Sequence, residues 1–334
     1  MTTVYLVRHA EAEGNTYRRI HGQYNSLITQ NGLRQIEALR ARFAPIHIDA
    51  CFASDLFRTC KTAQSVYLAK HLPLHPEKRF RELEIGCWED TPFGYLERFE
   101  KQDMDKFNCD ERNWHVDGSE TWEEYTDRFL GGLNDICAAQ EGKTIAVFSH
   151  ACVLRGMQKK LLKTDELPFC ENTAVSRLRW EDGAVMFELL NDASHLTPEI
   201  STAIRQQRLK QGATDRADFS LWFEKAADAK ETYLAKLRDK TVGQLVLGSG
   251  ETKDTGVILD LSLDAPVRGR RFGQQLLGQA VCTERRRGAK RLAATVPERN
   301  ADALHFFREN GFVLKEHTTD GAYLEMDIEV RPLP

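Results

Sequence analysis

Two histidines each close an apolar run, and each is followed by alanine. Val4, Tyr5, Leu6, Val7 and Arg8 lead to His9, and Ile145, Ala146, Val147, Phe148 and Ser149 lead to His150. A polar side chain at the point where a buried strand runs out is where open α/β sheets place their chemistry. An imidazole can attack phosphorus when one ring nitrogen is unprotonated and the other is held by a hydrogen bond that sets the tautomer. The oxygens of a transferring phosphoryl group call for guanidinium forks, and the departing oxygen calls for a carboxylic acid. The chain offers candidates for each part: Arg8 beside His9, Arg58 after Ser54, Asp55, Leu56 and Phe57, and Glu82 ahead of Glu84 and Glu89, which compete with it. Taken singly, His9 has an ordinary reading as a hydrogen-bonded strand-end histidine and Arg58 as a surface helix residue. His21, His47, His71, His75 and His115 have no comparable neighbours, and His195 reads as structural.

The elements that must carry these residues follow from the apolar pattern. Strands are expected over 3–8, 51–54 and 144–149, with helices over 31–43, 58–71 and from about 152, an alternation that fits an open, largely parallel sheet between helices. The stretch 84–118 is aromatic and acidic without a clear period and reads as a cap over the sheet edge. Its Trp88, Phe93, Tyr95, Phe99, Phe107 and Trp114 either shape a pocket or pack the cap down. Residues 175–180 and 184–189 read as a hairpin across Glu181, Asp182 and Gly183. Past Asn191 the pattern changes, and charged helices are expected to about Leu237. Strands over 242–247 and 257–263, a helix over 272–286, a strand over 291–296, a helix over 301–309 and strands near 312–316 and 322–329 complete the chain.

At 334 residues the chain exceeds what one hydrophobic core usually serves, so two domains are expected, 1–197 and 198–334. Apolar content of 41%, charged content of 29% and a net charge of -4 describe a globular protein with no general pull toward nucleic acid. The absence of a signal-peptide pattern, of a membrane-length apolar run and of C-x-x-C pairs among the eight cysteines gives the expectation of a cytoplasmic protein with reduced thiols.

Residues 1–196 resemble the histidine phosphatase superfamily, the phosphoglycerate-mutase-like fold. The resemblance is carried by Arg8, His9, Ala10 and Glu11 with Asn15; Leu27, Thr29, Gly32 and Gln35; Ser54, Asp55 and Leu56 with Arg58, Thr59, Thr62 and Ala63; Glu82 with Gly86, Trp88 and Glu89; Gly118, Ser119, Glu120 and Thr121; Ser149, His150 and Ala151; and Asn191, Asp192, Ser194, His195 and Leu196. It implies a three-layer α/β/α domain, His9 as the nucleophile that becomes phosphohistidine, and a phosphate pocket of Arg8, Arg58 and His150. It also implies Glu82 as proton donor, Asn15 as a further contact, and no metal. Ala10 and Ala151 stand where the family often has glycine and Leu27 where it often has proline; none removes a chemical group. Mutases of the family carry a long insertion between the acid and the second histidine. The short span from Glu82 to His150 resembles the compact phosphatase branch, so hydrolysis of a small phosphorylated metabolite is expected, with a mutase as the alternative.

A second constellation runs from Leu261 to Leu277. An apolar strand gives way to Arg268, Gly269, Arg270 and Arg271, and then Phe272 and Gly273 open an amphipathic helix. Free backbone N–H groups at such a helix start suit a pyrophosphate, and the arginines add charge, as do Arg285, Arg286, Arg287, Lys290 and Arg291 farther on. With Thr295, Val296, Pro297, Glu298, Arg299, Asn300, Ala303, Phe306, Phe307, Gly311 and Phe312, this segment resembles the GCN5-related N-acetyltransferase (GNAT) superfamily, a mixed α/β fold. The resemblance implies acetyl-CoA as cofactor, with its pantetheine arm along the backbone of Leu261 and Leu263, its pyrophosphate on Arg268, Gly269, Arg270, Arg271, Phe272 and Gly273, and Asn300 near the arm. A small amine would be the acceptor, entering between the helices of 201–238 and the sheet, with Asp260 and Glu325 as possible bases. Arg271 occupies a usual glycine position, and Phe307 replaces a tyrosine that often protonates the thiolate. The alternative is therefore a domain that only binds CoA or is structural. The pairing of two activities suggests a shared metabolite such as an amino-sugar phosphate.

Overall fold

The computed structural model describes residues 1–227, 231–250 and 252–331. The first half of the chain runs β1 (Thr2–Arg8), α1 (Glu13–Tyr17), β2 (Arg19–Ile20), α2 (Gln30–Phe43), β3 (Ala50–Ala53), α3 (Phe57–Tyr67), β4 (Leu74–Pro76) and β5 (Thr91–Pro92). It continues through α4 (Phe93–Phe99), α5 (Lys101–Cys109), α6 (Trp122–Ala139), β6 (Thr144–Ser149), α7 (Ala151–Leu162), β7 (Val175–Glu181) and β8 (Ala184–Asp192). Six of these strands form one sheet in the order β4-β3-β6-β1-β7-β8, with the first four parallel. Residues on the central strands alternate between two cores. Val4, Leu6, Ile145 and Val147 meet the α6, α7 and cap side, whereas Val7, Ala146 and Phe148 meet α2 and α3. Burial on both faces is why these strands read as continuous apolar runs and why the domain has three layers.

The second half runs α8 (Thr202–Lys210), β9 (Trp222–Lys225), β10 (Glu231–Leu237), β11 (Lys240–Ser249), β12 (Thr255–Leu263), α9 (Phe272–Arg286), β13 (Arg291–Val296), α10 (Ala301–Glu309), β14 (Val313–Thr318) and β15 (Gly321–Asp327). Its seven-stranded sheet has the order β14-β15-β13-β12-β11-β10-β9. The strands β12 and β13 are parallel and pair only from Thr255 to Ile258, so the rest of β12 parts from its neighbour.

Two expectations are corrected here. The stretch 84–118 holds the regular helices α4 and α5, whose short lengths hide the helical period. The charged helices expected to Leu237 reduce to α8 among the described residues. Trp222, Phe223, Tyr233 and Leu234 instead lie in strands, where aromatic side chains pack well on a pleated face; residues 228–230 of that stretch lie outside the described residues.

The two halves meet along α1 and α9. Gly278 lies so close to Tyr17 that an added Cβ would stand 2.4 Å from the tyrosine Cβ. Arg285 bridges Glu13 at 2.9 Å, and Asp90 accepts from Arg19 at 2.7 Å and from Arg286 at 2.7 Å. Arg19 also donates to Gln279 Oε1 at 3.0 Å. All eight cysteines are unbridged; Cys87 and Cys109 are exposed and Cys152 is partly buried.

Candidate active site

Strand register explains how residues 141 positions apart become neighbours. Arg8 on β1 pairs with Ser149 on the parallel strand β6, so His9 and His150 are the next residues off two adjoining strand ends. Adjacent strands lie about 4.8 Å apart, and the two imidazole centroids are 5.3 Å apart. His9 Nδ1 lies 2.7 Å from the carbonyl oxygen of Ala10. A carbonyl only accepts, so Nδ1 carries the proton and Nε2 keeps its lone pair. His150 Nε2 is 2.9 Å from Ser54 Oγ, which lies just past the end of β3, and its buried Nδ1 has no protein partner.

The other expected residues gather at the same sheet edge. A cavity of about 250 Å³ is lined by Arg8, His9, Asn15, Arg58 and Glu82, among others; the fully buried His150 packs against His9 and is not part of its lining. Arg8 donates Nη1 to the Cys170 carbonyl at 2.6 Å and leaves Nε unpartnered. Arg58 donates to the carbonyls of Tyr24 and Gly22 at 2.9 and 2.7 Å. The Glu82 carboxylate accepts from the N–H groups of Cys152 and Val153 at 3.2 and 3.1 Å, at the start of α7. Asn15 Oδ1 accepts from the Ala12 N–H and from Asn172 Nδ2. Of the competing carboxylates, Glu84 is exposed, and Glu89 accepts from the Gln23 N–H at 2.7 Å. His195 bridges Arg42 and Thr173, at 3.0 Å each. Among the described residues, no three His, Cys, Asp or Glu side chains gather as a metal site.

Three contributors escaped the sequence. His21, with its side chain 8% exposed, lines the cavity. So does Arg18; the run Arg18, Arg19, Ile20, His21 and Gly22 was the available signal. The third is α8, beyond the expected boundary at 197, which places Thr202, Ala203 and Gln206 on the cavity wall. Thr202 Oγ1 donates to Glu11 at 2.8 Å, Gln206 Nε2 donates to the Asn15 carbonyl at 3.0 Å, and Glu171 accepts from Ser201 Oγ and the Ala203 N–H. Nothing in a polar helix sequence announces which domain it will serve. The cap aromatics divide between the two readings given them: Phe93 and Phe107 line the cavity, whereas Trp88 and Trp114 pack together at 5.3 Å and are 1% and 2% exposed.

Burial, followed by the charges of Arg58 and Arg8, drives the His9 pKa well below 6.5. Burial, then Arg58 and His9, does the same to His150. Burial is the main cause that holds His21 at about 3. The unfolded chain protonates each near 6.5. Above that pH neither state takes the proton; below it, only the unfolded state does. Stability is therefore expected to fall as pH drops from 6.5 toward 5, by up to about 1.4 kcal/mol per pH unit for each histidine. Phosphate or vanadate should flatten the fall, because a bound anion raises the histidine pKa values. Urea midpoints between pH 7 and 5 check this, and a midpoint that holds steady or rises toward pH 5 contradicts it.

In the second half, Leu261 and Leu263 lie on the part of β12 that has left β13. Gly269 (φ +74°) and Arg271 (φ +63°) turn the chain into α9, and space for a Cβ is open at Gly269. Arg268 donates to the Leu263 carbonyl at 2.8 Å, Arg270 lies over the Phe272 ring at 5.2 Å, and Arg271 donates to Gln274 at 3.0 Å. At Gly273 a Cβ would meet the Phe306 ring at 3.0 Å, so helix and ring pack closely there. Asn300 uses its oxygen to cap α10 on the Ala303 N–H. Phe307 is buried between Phe306 and Phe312.

The farther basic residues do not join this loop. They stand at the other end of α9, about 22 Å along a fifteen-residue helix, and beyond it. There they pair with Glu13, Asp90, Glu231, Glu329 and Asp254. Asp260 accepts from Gln244 and Ser262, and Glu325 accepts from Tyr323, so both candidate bases sit in polar pairs. Among the described residues of 201–238 the one α-helix, α8, turns Thr202, Ala203 and Gln206 to the histidine cavity, while its Leu209 packs into the core of the second half and its Arg205 lines a separate cavity with Glu325 of β15.

Comparison with known proteins covers both halves. The profile of the histidine phosphatase superfamily (branch 1) matches residues 4–193, and that of the acetyltransferase (GNAT) family matches residues 197–312. Phosphoserine phosphatase 1 of Hydrogenobacter thermophilus is 29% identical over 207 residues, which is 59% of this chain and 95% of that protein. A probable phosphoglycerate mutase, GpmB, of Proteus mirabilis is 29% identical over 206 residues, 59% of this chain and 96% of that one. Among solved structures, YhfR of Bacillus stearothermophilus superposes with a TM-score of 0.56 at 24% identity, covering 58% of this chain and 99% of its own. A phosphoglycerate mutase of Bacillus anthracis gives 0.54 at 21%, covering 61% and 96%. These superpositions speak for the fold.

Proposed function

This chain belongs to the histidine phosphatase superfamily, branch 1, with a GNAT-family domain behind it, and on that premise we propose that it hydrolyses a small phosphomonoester through a phosphohistidine on His9. The observation that carries the reading is the pair of strand-end imidazoles, one with its tautomer pinned by its neighbour's carbonyl. The phosphoryl group would lie among Arg8, Arg58 and His150, with Asn15 beside it. His9 Nε2 forms a bond to phosphorus as the P–O ester bond breaks, and Glu82 supplies the proton that the departing oxygen takes. Glu82, now a carboxylate, takes a proton from water as that water's oxygen attacks phosphorus. The P–N bond breaks, and inorganic phosphate leaves. Arginine forks stabilise the three equatorial oxygens through both steps.

Pure protein incubated with sugar phosphates, phosphoglycerates and nucleotides should release phosphate from at least one class. A product that carries its phosphate at a new position, without free phosphate, would assign the mutase instead. No turnover of any of them, with wild type and His9→Ala indistinguishable, would remove the reading.

For the second domain we read an acetyl-CoA site along the free edge of β12 and the start of α9, and transfer of the acetyl group to a small amine. The parted strands and the glycine turn support binding; Phe307, which has no proton to give a thiolate, argues that another group or water must serve. Acetyl-CoA at a hundred times its Kd should stabilise the protein by about 2.7 kcal/mol, seen as a raised Tm. A Tm unmoved at millimolar acetyl-CoA would leave only the structural role. The structure contains no described helix long and apolar enough to cross a membrane.

A further inference from the structure

The histidine cavity holds a cation that the phosphoryl chemistry leaves unused. Arg18 closes α1, three residues beyond Asn15, and both line the cavity. Its φ of +55° places an L-residue in the left-handed region, where a side chain costs energy and glycine would not. Its guanidinium lies between two rings, 4.6 Å from the centroid of Phe93 and 5.0 Å from that of Phe219, and donates Nη2 to Ser220 Oγ at 3.1 Å. Phe93 belongs to the cap and also lines the cavity, whereas Phe219 and Ser220 come from the second half of the chain. Rings and hydroxyl together hold the plane of the guanidinium.

Charge sets Arg18 apart from its neighbours. Arg19, Arg285 and Arg286 each meet a carboxylate. Arg18 forms no ion pair among the described residues; Glu97 attracts it only at longer range, and Arg216 repels it. Its Nε is buried without a partner. Burial lowers its pKa to about 10, so it stays charged at neutral pH. A strained, half-buried, unpaired cation on the wall of an anion-binding cavity is a place for a second anion.

We propose that Arg18 forms a second anion-reading position, and that the preferred substrate is a phosphomonoester carrying another anionic group, a carboxylate or a phosphate, at its far end. The proposal rests on the phosphatase reading for the identity of the first group. It makes the second domain, through Phe219 and Ser220, part of the specificity of the first domain's cavity.

The test is calorimetry on full-length His9→Ala, which removes the proposed nucleophile, with two matched pairs of ligands: 3-phosphoglycerate against glycerol 1-phosphate, and fructose 1,6-bisphosphate against fructose 6-phosphate. In at least one pair the ligand with the extra anion should bind about tenfold or more tightly, as a charge-assisted pair allows. Adding Arg18→Gln should reduce that preference to less than about threefold, with Arg18→Lys restoring part of it. Should Arg18→Gln unfold, Arg18→Gly relieves the left-handed residue and serves in its place. Equal affinities within both pairs overturn the proposal. So does a loss of affinity that falls equally on both members of a pair, which is what an arginine serving only to join the two halves would give. Absence of binding by both doubly anionic ligands also overturns it. A preserved preference in a protein that hydrolyses nothing would sink the phosphatase reading and leave this one standing. Turnover by the wild type without any preference would do the reverse.

Discussion

His9→Ala is expected to lower kcat/KM for the protein's phosphomonoester substrate by at least about 10⁴-fold, some 5.5 kcal/mol of transition-state stabilisation. The reasoning is geometric. Nε2 of His9 faces the cavity as a free base because Nδ1 is committed to the Ala10 carbonyl, and neither of the two imidazoles beside it is presented that way. His150 has its Nε2 against Ser54, and His21 is held beside Asp90, 4.0 Å away. Water could attack the ester directly in the alanine variant, but without the covalent step it must displace an alkoxide in one move. Rapid acid-free quenching after mixing with labelled substrate should trap one labelled phosphohistidine, stable to alkali and lost in acid, in wild type and not in the variant. A variant that retains more than about a tenth of the activity, or label on a residue other than His9, contradicts the assignment.

Glu82→Gln is the second large effect and has a sharper signature. The carboxyl group accepts from the first amides of α7 through both oxygens, Oε2 from Cys152 and Oε1 from Val153; glutamine keeps one of these bonds through its amide oxygen and turns its NH2 toward the other N–H. What bears on the chemistry is that it also loses a proton to exchange. Hydrolysis of an alkyl phosphate should fall by about 10² to 10⁴-fold. Hydrolysis of p-nitrophenyl phosphate should fall far less, because nitrophenolate departs without being protonated. An equal loss on both substrates would mean that Glu82 positions α7 and that a different group supplies the proton, with Glu89, partly buried and raised in pKa chiefly by that burial, the next to test.

The histidines and arginines stood out as candidates by local signals, the end of an apolar run and the start of a helix; Glu82 was singled out from Glu84 and Glu89 by resemblance to a family and by no local signal. The same local signals placed the other strands of both sheets, but not β4, β9 or β10. They failed where structure was decided by contact. Helices α4 and α5 are too short to show a period over their own length. The strands β9 and β10 carry enough charge, in Glu224, Lys225, Glu231 and Lys236, to read as a solvated helix, yet their alternate side chains pack against a neighbouring strand. The basic run at and beyond the end of α9 added charge to the proposed pyrophosphate loop in the sequence, but helix length carries it to the far end, where carboxylates of the first domain take Arg285 and Arg286.

What the amino-acid order determined by itself was the set of candidate groups and the strand ends that present them, because apolar periodicity and capping act over a few residues at a time. What the tertiary structure decided was adjacency: that β1 lies beside β6 in a register setting His9 against His150, that α8 crosses the expected boundary to line the first domain's cavity, and that Arg18 is clamped by rings from two halves of the chain. Strand order, register and domain docking are settled by burying surface between segments far apart in sequence, and no local pattern encodes which distant segment will cover it.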